Sequence, residues 1–195
     1  MKLEAERPFA LAVVGAAGSG KSTIAMELAR QSGAVYLDKD SLAGPLVEAA
    51  MSAQGQSADE RESNTYYRER VMPAEYRAIF AVAADNLWLG RSLVIDAPFA
   101  AYLRVPEFFD QSTRLAGWPD VDRFALHVFA SEAETQRRLE ARGLPRDRAK
   151  LDNWSEFWPQ WGRLELTWSG VTTFRLENDS SPDLQSVLEQ LSRGI

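Results

Sequence analysis

The sequence Gly15-Ala16-Ala17-Gly18-Ser19-Gly20-Lys21-Ser22 is the most informative part of this chain. It matches the phosphate-binding loop pattern G-x-x-x-x-G-K-[ST] at every fixed position. An apolar run at residues 9–14 precedes it and predicts a buried strand, while residues 22–30 follow with the composition of a helix. Strand, glycine-rich loop and helix form the context in which backbone amides and the positive helix end meet phosphate oxygens.

This loop predicts the residues that hold a nucleotide. Lys21 has the length to reach the β- and γ-phosphates, and the Ser22 hydroxyl is placed to ligate Mg²⁺. A glycine-rich turn that binds nothing is the alternative, and the Lys-Ser pair argues against it. The expected nucleotide-binding residues are Gly15, Gly18, Ser19, Gly20, Lys21, Ser22 and Thr23.

Composition narrows the class of protein. The 195 residues are 45% hydrophobic and 26% charged, which is typical of one globular domain. A net charge of −6 argues against general nucleic-acid binding, and the absence of cysteine excludes disulfides and thiolate chemistry. No apolar run approaches the roughly 18 residues of a membrane span. The charged N-terminus does not resemble a signal peptide, so we expect a cytoplasmic protein.

Strands and helices alternate along the chain, which predicts a parallel sheet covered on both faces. We therefore expect a single α/β domain over residues 1–195, a three-layer α/β/α sandwich. Further strands are expected at residues 34–37, 92–95, 124–129 and 172–176, and helices at 72–89, 131–142 and 183–191, with Ser131 capping the second of these.

Carboxylates follow two of the predicted strands, at the sheet edge where α/β proteins bind ligands. Asp96 ends a run rich in large aliphatic side chains and is expected to hold Mg²⁺ directly or through water. Asp38 and Asp40 stand two residues apart, so one can lie near the metal while the other takes the proton of an acceptor hydroxyl. A helix-capping role for Asp40 is the alternative.

A basic segment follows the fourth strand and its helix. Arg137 and Arg138 lie beside Glu134 and Glu140 and fit a solvated helix face. Beyond them, a Gly-Leu-Pro break predicts a mobile charged loop, a lid over the nucleotide at residues 142–155. Arg142, Arg146 and Arg148 are the arginines that this loop would bring to the nucleotide, with Arg142 and Arg146 as the expected catalytic residues.

The acceptor is expected to bind within residues 41–80 and just after Asp96. Candidate contacts there are Arg61, Tyr66, Tyr67, Arg68 and Arg104, although one of the two adjacent tyrosines should face inward as core. Trp154, Trp158 and Trp161 follow at helical spacing, and a packed aromatic stripe is the preferred interpretation over a stacking platform. His127, alone within a strand, is interpreted as structural.

These stretches resemble those of the small-molecule P-loop kinases, a group that includes gluconate, shikimate and adenylate kinases, zeta-toxin kinases and chloramphenicol phosphotransferase. The resemblance is strongest to AAA-type kinase families. In those families, Tyr-Leu-Asp-Lys-Asp follows the second strand, as at residues 36–40. Their lid begins with Arg-Gly-Leu-Pro-Arg-Asp, as at residues 142–147.

The resemblance implies a five-stranded sheet in the order 2-3-1-4-5, with ATP as donor and Mg²⁺ as its metal. It implies that Lys21 and Ser22 serve phosphate and metal, that Asp38 or Asp40 acts as base or acceptor ligand, and that lid arginines contact phosphate. The loop at residues 178–181, beginning with Asn178, would lie against the adenine.

The function expected from the sequence is transfer of the γ-phosphate of ATP to a hydroxyl of a small molecule by a monomer or homodimer. Two other hypotheses stay open: a toxin-type kinase that acts on a nucleotide sugar, and a non-catalytic regulator that binds ATP. A GTPase is disfavoured because the chain has no Asn-Lys-x-Asp motif.

Overall fold

The computed structural model describes residues 7–57, 61 and 64–194, with the side chains of Pro145 and Arg146 outside that description. Its five strands are β1 Phe9–Val14, β2 Val35–Asp38, β3 Leu93–Asp96, β4 Asp122–Phe129 and β5 Thr172–Glu177. They form one parallel sheet in the order β2-β3-β1-β4-β5. The expected α/β fold and strand order are therefore confirmed.

Helices cover both faces of the sheet. Their bounds are α1 Lys21–Ser32, α2 Lys39–Ala53, α3 Met72–Trp88, α4 Phe108–Leu115, α5 Glu132–Arg142, α6 Pro145–Asp152, α7 Trp154–Phe157 and α8 Gln185–Arg193, with π-helical turns at Tyr67–Val71 and Trp158–Gly162. Ser131 accepts a hydrogen bond from the Glu134 amide, so the predicted cap of α5 is confirmed.

The central strand β1 explains the two cores. All six of its residues are buried, and their side chains alternate between the faces. Phe9, Leu11 and Val13 pack with α1 and α8. Ala10 and its neighbours on the other face pack with α3, α4 and the aromatic residues around Phe99. Because β1 is covered on both faces, the loop that follows it is anchored on a rigid base.

One local prediction is wrong. The segment after the Gly-Leu-Pro break was expected to continue as a charged loop, but Pro145–Asp152 forms helix α6. Pro145 stands in its first turn, where the missing amide costs nothing and the fixed φ favours the helix. Gly143, in the left-handed conformation, therefore ends α5, and Pro145 starts α6.

Candidate functional site

The phosphate-binding loop fits closely against its surroundings. Gly20 precedes α1 with φ of 84°, and a Cβ there would collide with the Asn178 amide group. At Gly15, a Cβ would collide with the Val128 carbonyl oxygen of β4. Both positions therefore require glycine, one for its conformation and both for close approach. Ser22 and Thr23 are exposed at the first turn of α1, as a nucleotide site requires.

Arg138 and Asn178 support the loop from behind. The Arg138 guanidinium donates to the Ser19 carbonyl oxygen at 3.1 Å and to the Asn178 carbonyl oxygen at 2.6 Å. The Asn178 amide donates to the same Ser19 oxygen at 2.8 Å. Glu134 holds the guanidinium from the other side at 2.7 Å.

This arrangement corrects the interpretation of Arg138 as part of a solvated face. Arg137 fits that interpretation, since its exposed side chain pairs with Glu134. No sequence signal separates the two arginines, because their difference lies in which one points toward the loop. The side chain of Asn178 is directed at the loop, and its predicted contact with adenine stays a prediction.

The carboxylate at the end of β3 is buried and hydrogen-bonded. Asp96 is only 2% exposed, and its Oδ2 accepts from the Tyr36 hydroxyl at 2.8 Å. Burial and the neighbouring Asp96 raise the pKa of Tyr36 above its ordinary value, so this hydroxyl stays protonated and donating. Asp96 pairs in register with Val13 of β1 on one side and with Asp38 of β2 on the other.

The two carboxylates after β2 have different surroundings. Asp38 caps α2, accepting from the Asp40 amide at 3.2 Å, the Ser41 amide at 3.1 Å and the Ser41 hydroxyl at 2.6 Å. The capping role considered for Asp40 therefore belongs to Asp38. The Asp40 side chain is 43% exposed and lies 3.3 Å from the Lys39 ammonium and 4.0 Å from the Arg61 guanidinium.

A buried ion pair beside Asp40 was missed by the sequence analysis. Lys39 Nζ lies 2.8 Å from Glu75 Oε1, and the two side chains are 4% and 3% exposed. The Tyr67 hydroxyl donates to Glu75 Oε2 at 2.7 Å. Burial and the hydrogen bond to Glu75 raise the pKa of Tyr67, which keeps it a donor. Tyr67 is thus the inward-facing member of the adjacent tyrosines, and Tyr66 is exposed, as expected.

The pair belongs to a wider connection between α2, α3 and the loop after β3. Tyr76 follows Glu75 on α3, and its hydroxyl accepts a hydrogen bond from the Phe99 amide at 3.0 Å. Phe99 adopts φ of 51°, a strained conformation for a residue other than glycine. Strain of this kind concentrates at functional sites, because the surrounding structure must maintain it.

The lid segment carries its own ion pairs. Arg142 donates twice to Asp147 Oδ2, at 2.9 and 2.7 Å, and Lys150 approaches Oδ1 at 3.8 Å. Asp147 is 1% exposed, so these charges fix α6 against the end of α5. Arg148 is exposed, whereas the side chain of Arg146 lies outside the described residues. That this segment is mobile without nucleotide stays a prediction.

The tryptophans after the lid segment pack against other residues. The Trp154 and Trp158 rings stack with centroids 5.6 Å apart, and the buried Trp158 ring lies directly against Gly162. Trp161 is half-buried against the core on the α3 face. These contacts fit a packed aromatic stripe.

The residues near the loop fit a magnesium ion bound mainly through a nucleotide. Within the described ranges, no group of three or more His, Asp or Glu side chains is arranged to hold a metal. Mg²⁺ typically uses one or two carboxylates with substrate phosphates and waters. Ser22 is exposed, and hydrogen bonds among the described residues reach only one oxygen of Asp96. In contrast, the three hydrogen bonds to Asp38 compete with any metal there.

Comparison with solved structures shows the same fold in several kinases. A candidate kinase from Chloroflexus aurantiacus is 19% identical, with 94% of this chain and 96% of that one aligned and a TM-score of 0.66. A sugar kinase from Janibacter sp. is 20% identical, with 95% and 90% aligned and a TM-score of 0.57. A gluconokinase from Sinorhizobium meliloti is 18% identical, with 98% and 91% aligned and a TM-score of 0.52.

Curated relatives come from Synechococcus elongatus and another Synechococcus strain, and both are bifunctional pantoate ligase/cytidylate kinases. Each is 29% identical over 143 residues, which is 73% of this chain and 25% of the relative. The chain therefore spans about a quarter of the length of these relatives.

Among the described helices, none has the length and apolar character needed to cross a membrane.

A family model described as AAA domain matches residues 11–157. The match includes the phosphate-binding loop, the carboxylates that follow β2 and β3, and the Arg142–Asp147 pair of the lid. The chain belongs to this AAA domain family.

Proposed function

We propose that this protein is an ATP-dependent kinase that transfers the γ-phosphate of ATP to a hydroxyl of a small molecule. The observation that carries the proposal is a complete phosphate-binding loop on the same sheet edge as a half-exposed carboxylate, Asp40. Strand β3, which ends at Asp96, separates the two. At about 4.8 Å between strands, β1 and β2 lie about 10 Å apart, enough for a phosphoryl group and its acceptor between them.

Donor chemistry is assigned to the loop and its neighbours. Lys21 would contact the β- and γ-phosphates and counter the charge that develops on them during transfer. Ser22 and Asp96 would hold Mg²⁺, which would supply positive charge to neutralise the phosphate oxygens. Arg138 and Asn178 keep the loop backbone in place.

Acceptor chemistry is assigned to Asp40. The acceptor hydroxyl oxygen forms a bond to the γ-phosphorus while the bond from that phosphorus to the β–γ bridging oxygen breaks and ADP leaves. The hydroxyl proton passes to the Asp40 carboxylate. Asp38 is the weaker candidate for this base, because its oxygens already bind the first turn of α2.

Water exclusion is assigned to the lid segment. In a closed state, Arg142 and Arg146 would contact phosphate and keep water from competing with the acceptor. Arg142 must then exchange at least part of its bond to Asp147 for the bond to phosphate. We propose a cytoplasmic location and a monomeric or homodimeric state on the sequence arguments alone.

The relatives suggest where to look for the acceptor. The similar proteins include a sugar kinase, a gluconokinase and bifunctional pantoate ligase/cytidylate kinases. The first two names imply a hydroxyl oxygen as acceptor, and the third implies a phosphate oxygen. Two described cations lie within 4.0 Å of Asp40: Lys39, which is shared with the buried Glu75, and Arg61, which approaches at the limit of an ion pair. We favour an uncharged hydroxylated acceptor, because Lys39, the cation that lies nearer to Asp40, is already engaged by two carboxylates.

A coupled assay of ADP release tests the proposal. The protein is incubated with ATP–Mg²⁺ and a panel of neutral sugars, gluconate, nucleosides, cytidine monophosphate and hydroxylated antibiotics. A Lys21→Ala variant serves as the blank. The expected result is acceptor-dependent ADP release with a phosphorylated product visible by mass spectrometry. Tight ATP binding without transfer to any member would instead favour the non-catalytic regulator.

A further inference from the structure

Lys39 occupies an unusual place for a lysine, because it is buried next to the carboxylate proposed as base. Its ammonium is 2.8 Å from Glu75 and 3.3 Å from Asp40, while its side chain is 4% exposed. The same ammonium lies 5.9 Å from the centre of the Tyr76 ring. One cation therefore faces a fully buried carboxylate on α3 and a half-exposed one on α2.

Stability alone is a weak reason for this arrangement. Removing two charges from water costs several kcal/mol for each ion, and well-packed apolar residues are often as stable as a buried pair. The pair here is nevertheless completed by the Tyr67 hydroxyl on the second oxygen of Glu75. This set of bonds fixes the position of the Lys39 ammonium, and that position is beside Asp40.

The two cations near Asp40 differ in how firmly they are held. Arg61 approaches Oδ2 at 4.0 Å, the limit of an ion pair, with its side chain 21% exposed. Lys39 approaches the other oxygen, Oδ1, and is held by Glu75. Oδ1 therefore faces a cation that the fold fixes, whereas Oδ2 faces a cation that is more exposed and lies farther away.

We infer that Lys39 is a positioning residue for phosphoryl transfer, which holds Asp40 in the orientation that meets the acceptor hydroxyl, with Glu75 and Tyr67 fixing Lys39. The inference rests on the proposed function, because it gives Lys39 a role through the proposed base. It differs from a structural role in one respect: the effect of Lys39 on turnover should pass through Asp40.

A double-mutant cycle measures that dependence. Lys39→Met alone would leave Glu75 buried without its cation and can unfold the protein, so Glu75→Gln is the reference background. Adding Lys39→Met to Glu75→Gln removes the ammonium without leaving a buried charge. We expect turnover with the best acceptor of the panel to fall about tenfold or more, while the KM for ATP stays within about twofold.

The same addition is then made in an Asp40→Asn, Glu75→Gln background. This background removes both carboxylates that face the buried Lys39 ammonium, so thermal unfolding first checks that it is folded. If Lys39 acts through Asp40, it changes turnover there by less than about twofold. An equal loss in both backgrounds would overturn the inference, and so would a loss that appears in the KM for ATP. Tyr67→Phe is a graded comparison, because it weakens the hold of Glu75 on Lys39 and keeps the ammonium itself, so its loss of turnover should be smaller than that of Lys39→Met.

A crystal structure of the Lys39→Met, Glu75→Gln variant separates this inference from the proposed function. We expect the Asp40 carboxylate to leave its position or to occupy several conformers. An unmoved Asp40 would overturn the inference whatever the kinetics show. If the wild-type protein transfers phosphate to no member of the panel, the proposed function fails, and this structure still decides whether Lys39 holds Asp40.

Discussion

The proposed donor and acceptor sides of this molecule are built in different ways. The donor side is a run of eight residues between the end of β1 and the first turn of α1, supported from behind by Arg138 and Asn178. The acceptor side is assembled from Lys39, Tyr67 and Glu75, which belong to three separate elements. The donor side is thus contained in the sequence as a motif, whereas the acceptor side exists only after α3 has packed against α2.

The difference suggests how such a fold can change its substrate and keep its reaction. The loop after β1 has buried strands on both sides and glycines that tolerate no side chain, so its geometry is tightly constrained. The acceptor side depends on helix packing and on a charge network that other side chains could replace. Substitutions there are expected to change acceptor preference before they change ATP binding.

Removing the loop lysine is the largest expected break on the donor side. Lys21→Ala should lower phosphoryl transfer about a thousandfold or more, because its charge counters that developing on the transferring group. The fold should be preserved, since the N-terminal turn of α1 gains a strong helix former. ADP release and thermal unfolding measured on the same preparation check both expectations. A folded variant with undiminished turnover would contradict the donor assignment.

Replacing Asp40 is the corresponding break on the acceptor side. Asp40→Asn should lower turnover with the true acceptor by about two to four orders of magnitude, the usual range for a lost general base, with little change in ATP affinity. Asp38→Asn is the comparison, because its carboxylate caps α2. Because asparagine also caps helices well, it should lower the free energy of unfolding by less than about 1 kcal/mol, with a smaller effect on turnover than Asp40→Asn. If the two variants exchange these effects, Asp38 is the base.

The sequence predicted the donor side in detail for a physical reason. Phosphate binding by backbone amides needs glycine at fixed spacing, so the requirement is written in consecutive residues. Alternating apolar runs likewise predicted all five strands to within about two residues. The role of Arg138 was missed because α5 carries adjacent arginines, and only helix phase relative to the loop distinguishes them.

The acceptor side was predicted as a region but not as a network. Lys39 appeared in the sequence as a polar residue between two aspartates, and nothing local indicates that it is buried. Its partner Glu75 lies in the first turn of α3, where an acidic residue also fits the helix dipole. Two such residues become a pair only through the packing of α2 against α3, which no periodicity specifies.

Two neighbouring arginines offer a smaller and cleaner test of the donor side. Arg138→Ala removes charged hydrogen bonds to the Ser19 and Asn178 carbonyl oxygens, and each such bond contributes about 1.5–3 kcal/mol. We expect ATP affinity to fall about tenfold or more, measured by calorimetry. Arg137→Ala should change it by less than about 0.5 kcal/mol, because that side chain is exposed.

Glu134 makes these two variants comparable. Both arginines bind it, and a hydrogen bond from Arg137 is the main cause that lowers its pKa to about 2. Glu134 therefore stays ionised throughout any ordinary assay range, and the lost carboxylate contact is common to both variants. Equal losses of ATP affinity would mean that Arg138 contributes only through Glu134 and does not support the loop.

The lid segment gives the smallest expected effect, a change in amide hydrogen exchange. Arg142 is held by the buried Asp147, so closure over a nucleotide must exchange one anion for another. Asp147→Asn should speed amide hydrogen exchange across residues 143–152 without nucleotide, since its charge fixes α6. Asp152→Asn, which removes the same charge from an exposed position of α6, should not.

A non-hydrolysable ATP analogue should slow exchange in the wild type through charge-assisted bonds to phosphate. Equal exchange with and without the analogue would mean that the lid arginines do not bind phosphate and that Arg142 only joins α5 to α6. The exclusion of water would then need another explanation.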